Sequence, residues 1–260
     1  MHDFMKGSGV LLGLILLTSC ASSVPPNRLD SYLFPDTKTV PEDLTKLYQQ
    51  PLKAGLVLVS DASDPDAAPS LPAEAVLRLG GKLKQEISQA FPVTITEVIS
   101  AEQIRPQPNG DWAQFAELGR IHKLDHLVLV VLSSTEQEYP MTLFLGWVTH
   151  AQPGYRRDNW SLLECAVLDL KNHHMVMRAQ GRGWATLDRP SAPGINQWYP
   201  VIYLRPQDPE RRIWPPTYEG APNTLRVVSF DQAAKRLTLN LQHSWLDLLQ
   251  ADAAMHRASS

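Results

Sequence analysis

Cysteine is nearly absent. Cys20 and Cys165 are the two in 260 residues, so no disulfide framework can hold the fold together. A basic excess is missing too: 24 Lys+Arg against 27 Asp+Glu leave a net charge of −3, which gives nucleic acid no positive field to bind. No apolar run is long enough to span a bilayer. The stretch Val10–Leu17 would cover about 12 Å as a helix, against about 30 Å of hydrocarbon. Catalytic motifs are lacking as well. There is no Gly-x-Ser-x-Gly elbow, and Gly80-Gly81-Lys82 has neither the earlier Gly nor the following Ser/Thr of a phosphate loop. His122 and His126 have the spacing of a zinc-protease pair, but Lys123 stands where the general-base Glu belongs, and His173-His174 have no third ligand nearby. Asp61-x-x-Asp64-x-Asp66 lacks the Gly and distal Glu of a calcium loop and reads as Asp-Pro turn chemistry. No metal or other cofactor is expected. What is present, 43% apolar and 20% charged residues, is enough for a globular core.

The first twenty residues carry an address. Lys6 lies in a short polar start, Val10–Leu17 is apolar, and Thr18-Ser19 are small, which are the three parts of a secretory signal. Leu17-Thr18-Ser19-Cys20 resembles the lipobox of bacterial lipoproteins. That resemblance implies cleavage after residue 19, a diacylglyceryl thioether on Cys20, and palmitate-type N-acylation. Two or three acyl chains anchor firmly where one holds marginally. Ala21 occupies the position where Asp marks inner-membrane retention in that family, so the resemblance implies an outer-membrane anchor with the body on the periplasmic face. The expected organisation is a signal peptide at 1–19, a lipidated tether and lead-in at 20–54, one domain at 55–250 and a tail at 251–260.

Within the domain, Gly55–Val59 and His126–Leu132 are unbroken apolar runs, the pattern of strands covered on both faces. Val76, Leu79, Leu83, Ile87 and Phe91 recur at helical spacing, weakened by Gly80-Gly81, and 93–99 alternates like a half-exposed strand. Asp111 can cap a helix whose stripe is Trp112, Phe115, Ala116 and Gly119. A short helix is expected at 41–50. Strands are expected at 141–149, 160–170 and 175–186, the last two joined as a hairpin through 171–174, with one face of the final strand wet. Cys165 falls on an apolar strand face and reads as a buried structural thiol. Phe230, Ala234, Leu237, Leu241, Trp245 and Leu248 form the stripe of a C-terminal helix. The class is α/β (or α+β): a mixed sheet of five to six strands with helices packed on it.

The segments around 55–59, 79–104 and 116–130, with the hairpin 167–181, are similar to the periplasmic α/β domain of curli-assembly-type lipoproteins and the amino-terminal domain of TolB. The turn Gly of that group's Asp-x-x-x-Gly pattern is replaced by His173. The likeness implies an envelope protein that assembles or binds something and brings no catalytic motif. Residues 189–222 have no counterpart in that group. They hold eight Pro with Trp198, Tyr199, Tyr203, Arg211, Arg212, Trp214 and Tyr218, a composition suited to docking a partner or to packing back on the domain. The leading expectation is a non-enzymatic lipoprotein that binds an envelope protein or itself. The alternatives are a periplasmic hydrolase or glycan-acting enzyme using carboxylates on the 60–70 and 100–110 loops, and a carrier with an apolar pocket.

Overall fold

A computed structural model of the chain describes residues 24–33, 52–90, 92–100, 104, 112–143, 152–191, 201–204 and 219–258. In chain order they form β1 (Leu52–Ser60), α1 (Ala73–Ala90), β2 (Val93–Ser100), α2 (Trp112–His122), β3 (His126–Leu143), β4 (Gln152–Asp169), β5 (His174–Pro190), β6 (Val201–Leu204) and α3 (Ala221–Ala258). The class is α/β, with six strands in one mixed sheet ordered β2-β1-β3-β4-β5-β6. β1 runs parallel to both β2 and β3, and every later pairing is antiparallel.

The unbroken apolar runs follow from cover on both faces. Leu56, Leu58, Val128, Val130, Leu163, Cys165 and Val167 meet Leu79, Leu83 and Ile87 of α1 and Ala233, Leu237 and Leu241 of α3. The alternate residues, Val57, Val59, Leu127, Leu129, Ala166 and Leu168, meet Phe115 of α2 together with Leu29, Tyr32 and Leu33. With both faces dry, polar alternation has no place in the central strands. α3 lies unusually close to β5. A Cβ on Gly181 would overlap the Ala233 carbonyl and the Leu237 nitrogen, and one on Gly183 would overlap the Ser229 carbonyl. Here the missing side chains let the helix backbone rest on the strand.

Several boundaries differ from expectation. β3 does not stop at Leu132 but runs on through Ser133–Leu143, because this run pairs residue by residue with Gln152–Leu162 of β4. β1 starts at Leu52 rather than Gly55. Within 189–222, Val201–Leu204 pairs with Ala185–Asp188 as an edge strand, and α3 begins at Ala221 with Pro222 in its first turn, where a proline costs no hydrogen bond. α3 continues to Ala258, since the alanines of the expected tail favour helix and neither Gly nor Pro stops it. The expected helix at 41–50 and the stretch 144–149 lie outside the described residues.

Two turns depend on left-handed backbone. His173 (φ 56°) closes the β4–β5 hairpin where the resembled pattern has Gly, while Asp169 Oδ1 accepts from the Lys171 and Asn172 amides at 2.8 and 3.0 Å. Lys123 (φ 55°) ends α2, with the Leu124 amide donating to the Gly119 carbonyl at 2.8 Å. The sheet edges are guarded. A bulge after Ala54 turns Thr96 of β2 aside: its Oγ1 donates to the Ala54 carbonyl at 3.2 Å, and its own carbonyl accepts from Lys84 Nζ at 2.8 Å. β6, at the opposite edge, is four residues long.

Candidate functional site

The segment Arg28–Leu33 is built into the core. Glu164, central in β4, is almost fully buried, and its Oε2 accepts from the Arg28 and Leu29 amides at 2.5 and 3.0 Å, capping the short 3-10 turn Leu29–Ser31. Burial pushes its carboxyl above the ordinary range, and the two amides pull against that shift. Beside it, Asp61 Oδ2 accepts from Tyr32 Oη at 3.0 Å and Arg28 Nε at 3.2 Å, and Oδ1 accepts from the Ser63 amide at 2.9 Å and Ser63 Oγ at 2.5 Å. Burial alone would raise the Asp61 pKa, but these donors outweigh it and hold the carboxylate below its usual value. The Tyr32 hydroxyl is driven up by burial and by the Asp61 charge. Residues 28–33 are therefore clamped by two sheet-side carboxylates as well as by apolar burial.

This arrangement bears on the hydrolase alternative. Asp61 is committed to four donors, and Asp64 Oδ1 accepts from the Asp66 amide at 2.9 Å in a local turn. Of the 100–110 loop, only Ser100 and Ile104 are described. Among the described residues, no group of three or more His, Cys, Asp or Glu could hold a metal. His122 Nδ1 lies 2.9 Å from Glu97 Oε2, tying α2 to β2, and His126 Nε2 lies 3.9 Å from Asp169 Oδ2. Cys165 is wholly buried, and burial pushes its thiol up to about 12, so it is inert as a nucleophile.

Further along the sheet, beyond Thr135, β3, β4 and β5 project a polar lattice that only register creates. On the α3 side, Arg226 pairs bidentately with Glu136 at 2.5 and 3.2 Å. Arg157 lies 3.7 Å from Glu136 and 2.6 Å from Glu138, and Arg189 reaches Glu138 at 3.5 Å. Charges alternate along this chain, so each carboxylate sits between two guanidinium groups. On the other side, Arg156 pairs bidentately with Asp188 at 2.6 and 2.8 Å, and the Asp188 hydrogen bond is the main reason its guanidinium pKa lies above the ordinary value. Asp158 accepts from Tyr139 Oη at 2.8 Å and from Thr186 Oγ1. Both acids are buried, Asp158 at 3% exposure and Asp188 at 8%.

Tyr203 joins this lattice, its hydroxyl donating to Asp188 Oδ2 at 3.0 Å, and so pins β6 to β5. Of the other residues expected to contact a partner, Trp198, Tyr199, Arg211, Arg212, Trp214 and Tyr218 lie outside the described residues, as does Cys20. Their flanks are described: Pro190 closes β5, the Ser191 amide donates to the Pro153 carbonyl at 3.0 Å, and Glu219-Gly220 lead into α3. The described part of the segment, β6, is thus tied to the polar lattice through Tyr203. Neither the lattice nor the Glu164 clamp was foreseen. Their only sequence signal is an acid or Arg interrupting an apolar strand, as Glu164 interrupts Leu162–Leu168.

No family model matches the chain, and no curated protein matches it. Among solved structures, it is similar to a PelC dodecamer from Paraburkholderia phytofirmans (10% identity, 56% of this chain and 77% of that one, TM-score 0.25). It is also similar to a neuraminyllactose-binding hemagglutinin homolog from Helicobacter pylori (9% identity, 81% and 92%, TM-score 0.38). A third likeness is to lipoprotein GNA1162 from Neisseria meningitidis (11% identity, 52% and 83%, TM-score 0.27). At these scores the likenesses carry no argument about what this chain does.

Proposed function

We propose that the chain is a lipid-anchored envelope protein, held by Cys20 at the periplasmic face of the outer membrane, whose domain binds another envelope protein or a second copy without catalysing a reaction. The supporting observation is the clamp on residues 28–33, which begins eight positions after Cys20. Fully extended, that stretch spans about 28 Å, so acylation of Cys20 would hold the whole domain against the membrane rather than on a long leash. The Pro- and aromatic-rich segment at 189–222, whose described strand β6 is tied to the polar lattice through Tyr203, is the proposed contact, because Trp, Tyr and Arg supply most of the binding energy at interfaces.

Mass spectrometry of the envelope protein should find Cys20 acylated, and Cys20→Ser should release the protein from membrane fractions. A bare thiol, or a Ser variant that stays bound, overturns the anchor. For the contact, native protein is compared in cross-linked pull-downs with a deletion of 195–220. A variant carrying Trp198→Ala, Tyr199→Ala, Trp214→Ala and Tyr218→Ala is tested beside it, because it leaves β6 in place. Both should lose the same partner, and recovery of identical partners by all three proteins overturns the assignment.

A further inference from the structure

Between residues 24–27 and the loop after β1 lies an open groove of about 530 Å³, walled by Val24–Asn27, Asp64, Asp66, Thr135 and Arg182. We infer that this groove seats a zwitterionic phospholipid headgroup of the phosphoethanolamine type; the inference rests on the lipid anchor proposed above.

The chemistry of the walls selects the ligand. Asp66 and Arg182 are both exposed, and among the described residues neither has an ion-pair partner; the Arg236 bond goes to the Arg182 carbonyl and not to its guanidinium. The groove therefore offers carboxylates on one wall and a guanidinium on another. A phosphoethanolamine head carries the complement, a primary ammonium with three N–H donors for Asp64 and Asp66 and a phosphate for Arg182. A phosphoglycerol head presents no cation to the acids, and a choline head presents a cation with no N–H to give them.

Position supplies the second argument. Only residues 21–23 separate Cys20 from Val24, so the groove wall stands within about 14 Å of chain from the acylated sulfur. Val24, apolar and 36% exposed, forms the rim on that side. A site held there meets headgroups at an effective concentration in the millimolar range or above, so weak affinity is enough to fill it.

The test uses the acylated protein in vesicles of phosphatidylethanolamine with phosphatidylglycerol, and of phosphatidylcholine with phosphatidylglycerol at equal surface charge, read by hydrogen exchange at the amides of Val24, Asn27, Asp61–Asp64, Asp66 and Ala67. Exchange should be slower on the ethanolamine vesicles, and Arg182→Gln and the pair Asp64→Asn with Asp66→Asn should each erase the difference. Equal exchange on the two vesicles with Cys20 acylated overturns the groove assignment alone, as does a difference that both variants preserve. A bare Cys20 in the same sample overturns the anchor and the groove together.

Discussion

Gly80 and Gly81 are neighbours in α1 with opposite surroundings. A Cβ on Gly80 would press into Leu58 Cδ1 at 2.7 Å and Val98 Cγ1 at 2.8 Å, whereas one on Gly81 meets nothing within 4 Å. Gly81→Ala should therefore raise stability by about 1 kcal/mol, the helix-propensity gain, and Gly80→Ala should lower it by about 1–3 kcal/mol through overpacking, both read from urea midpoints. The spacing of Val76, Leu79, Leu83 and Ile87 sets Gly80 on the apolar stripe, but it does not show how closely the sheet approaches there. His126 gives a second test at this scale. Burial lowers its pKa against the pull of Asp169 and Asp125, with Lys171 and His174 also facing it. The unfolded chain then binds the proton more readily, so stability should fall as pH drops below about 6.5. His126→Gln should flatten that slope in melting temperatures measured between pH 7 and 5.5, and an unchanged slope would reassign the effect.

Elements were legible where burial is two-sided or the apolar stripe is long. The runs at 55–59 and 126–132 became β1 and the start of β3, and the stripe from Val76 to Ile87 became α1. The outer half of β3 escaped notice, since Ser133–Pro140 has no apolar alternation and is a strand only through its pairing with β4. The 28–33 clamp is not visible in the sequence for a related reason: its partners Asp61 and Glu164 lie about thirty and more than a hundred positions away. Its energetics can be measured. Glu164→Ala leaves the Arg28 and Leu29 amides buried without an acceptor, which should cost about 2–3 kcal/mol and open residues 24–33 to limited proteolysis. Tyr32→Phe, which removes one donor from Asp61 and keeps the ring packed, should cost about 1 kcal/mol and leave the segment protected.

For the molecule as a whole, class and layering could be read from pattern alone, while what hangs at either end could not. Apolar spacing reports on the core, but the polar lattice around Glu136, Asp158 and Asp188 exists only once three strands are in register. Stability should be graded accordingly. In native-state hydrogen exchange, amides of Leu56–Val59 and Val128–Val131, covered on both faces, should open only with global unfolding. Those of Val201–Leu204, joined to the sheet by one neighbour, should open at lower free energy. Equal protection at both would show that β6 belongs to the same cooperative unit as the centre.

If Cys20 is acylated as proposed, the protein is confined to a surface, and the treatment of the two borders of the sheet then matters most. Molecules moored to one plane collide far more often than free ones, and a bare strand border would let them zip together side by side. The lysine laid across the kinked first border, and at the other the Gln232, Arg236 and Asn240 side chains that hold the Trp184 amide and the Arg182 and Gln180 carbonyls of β5, deny such growth a template. On that proposal, crowding at the envelope would raise the number of copies without seeding fibrils.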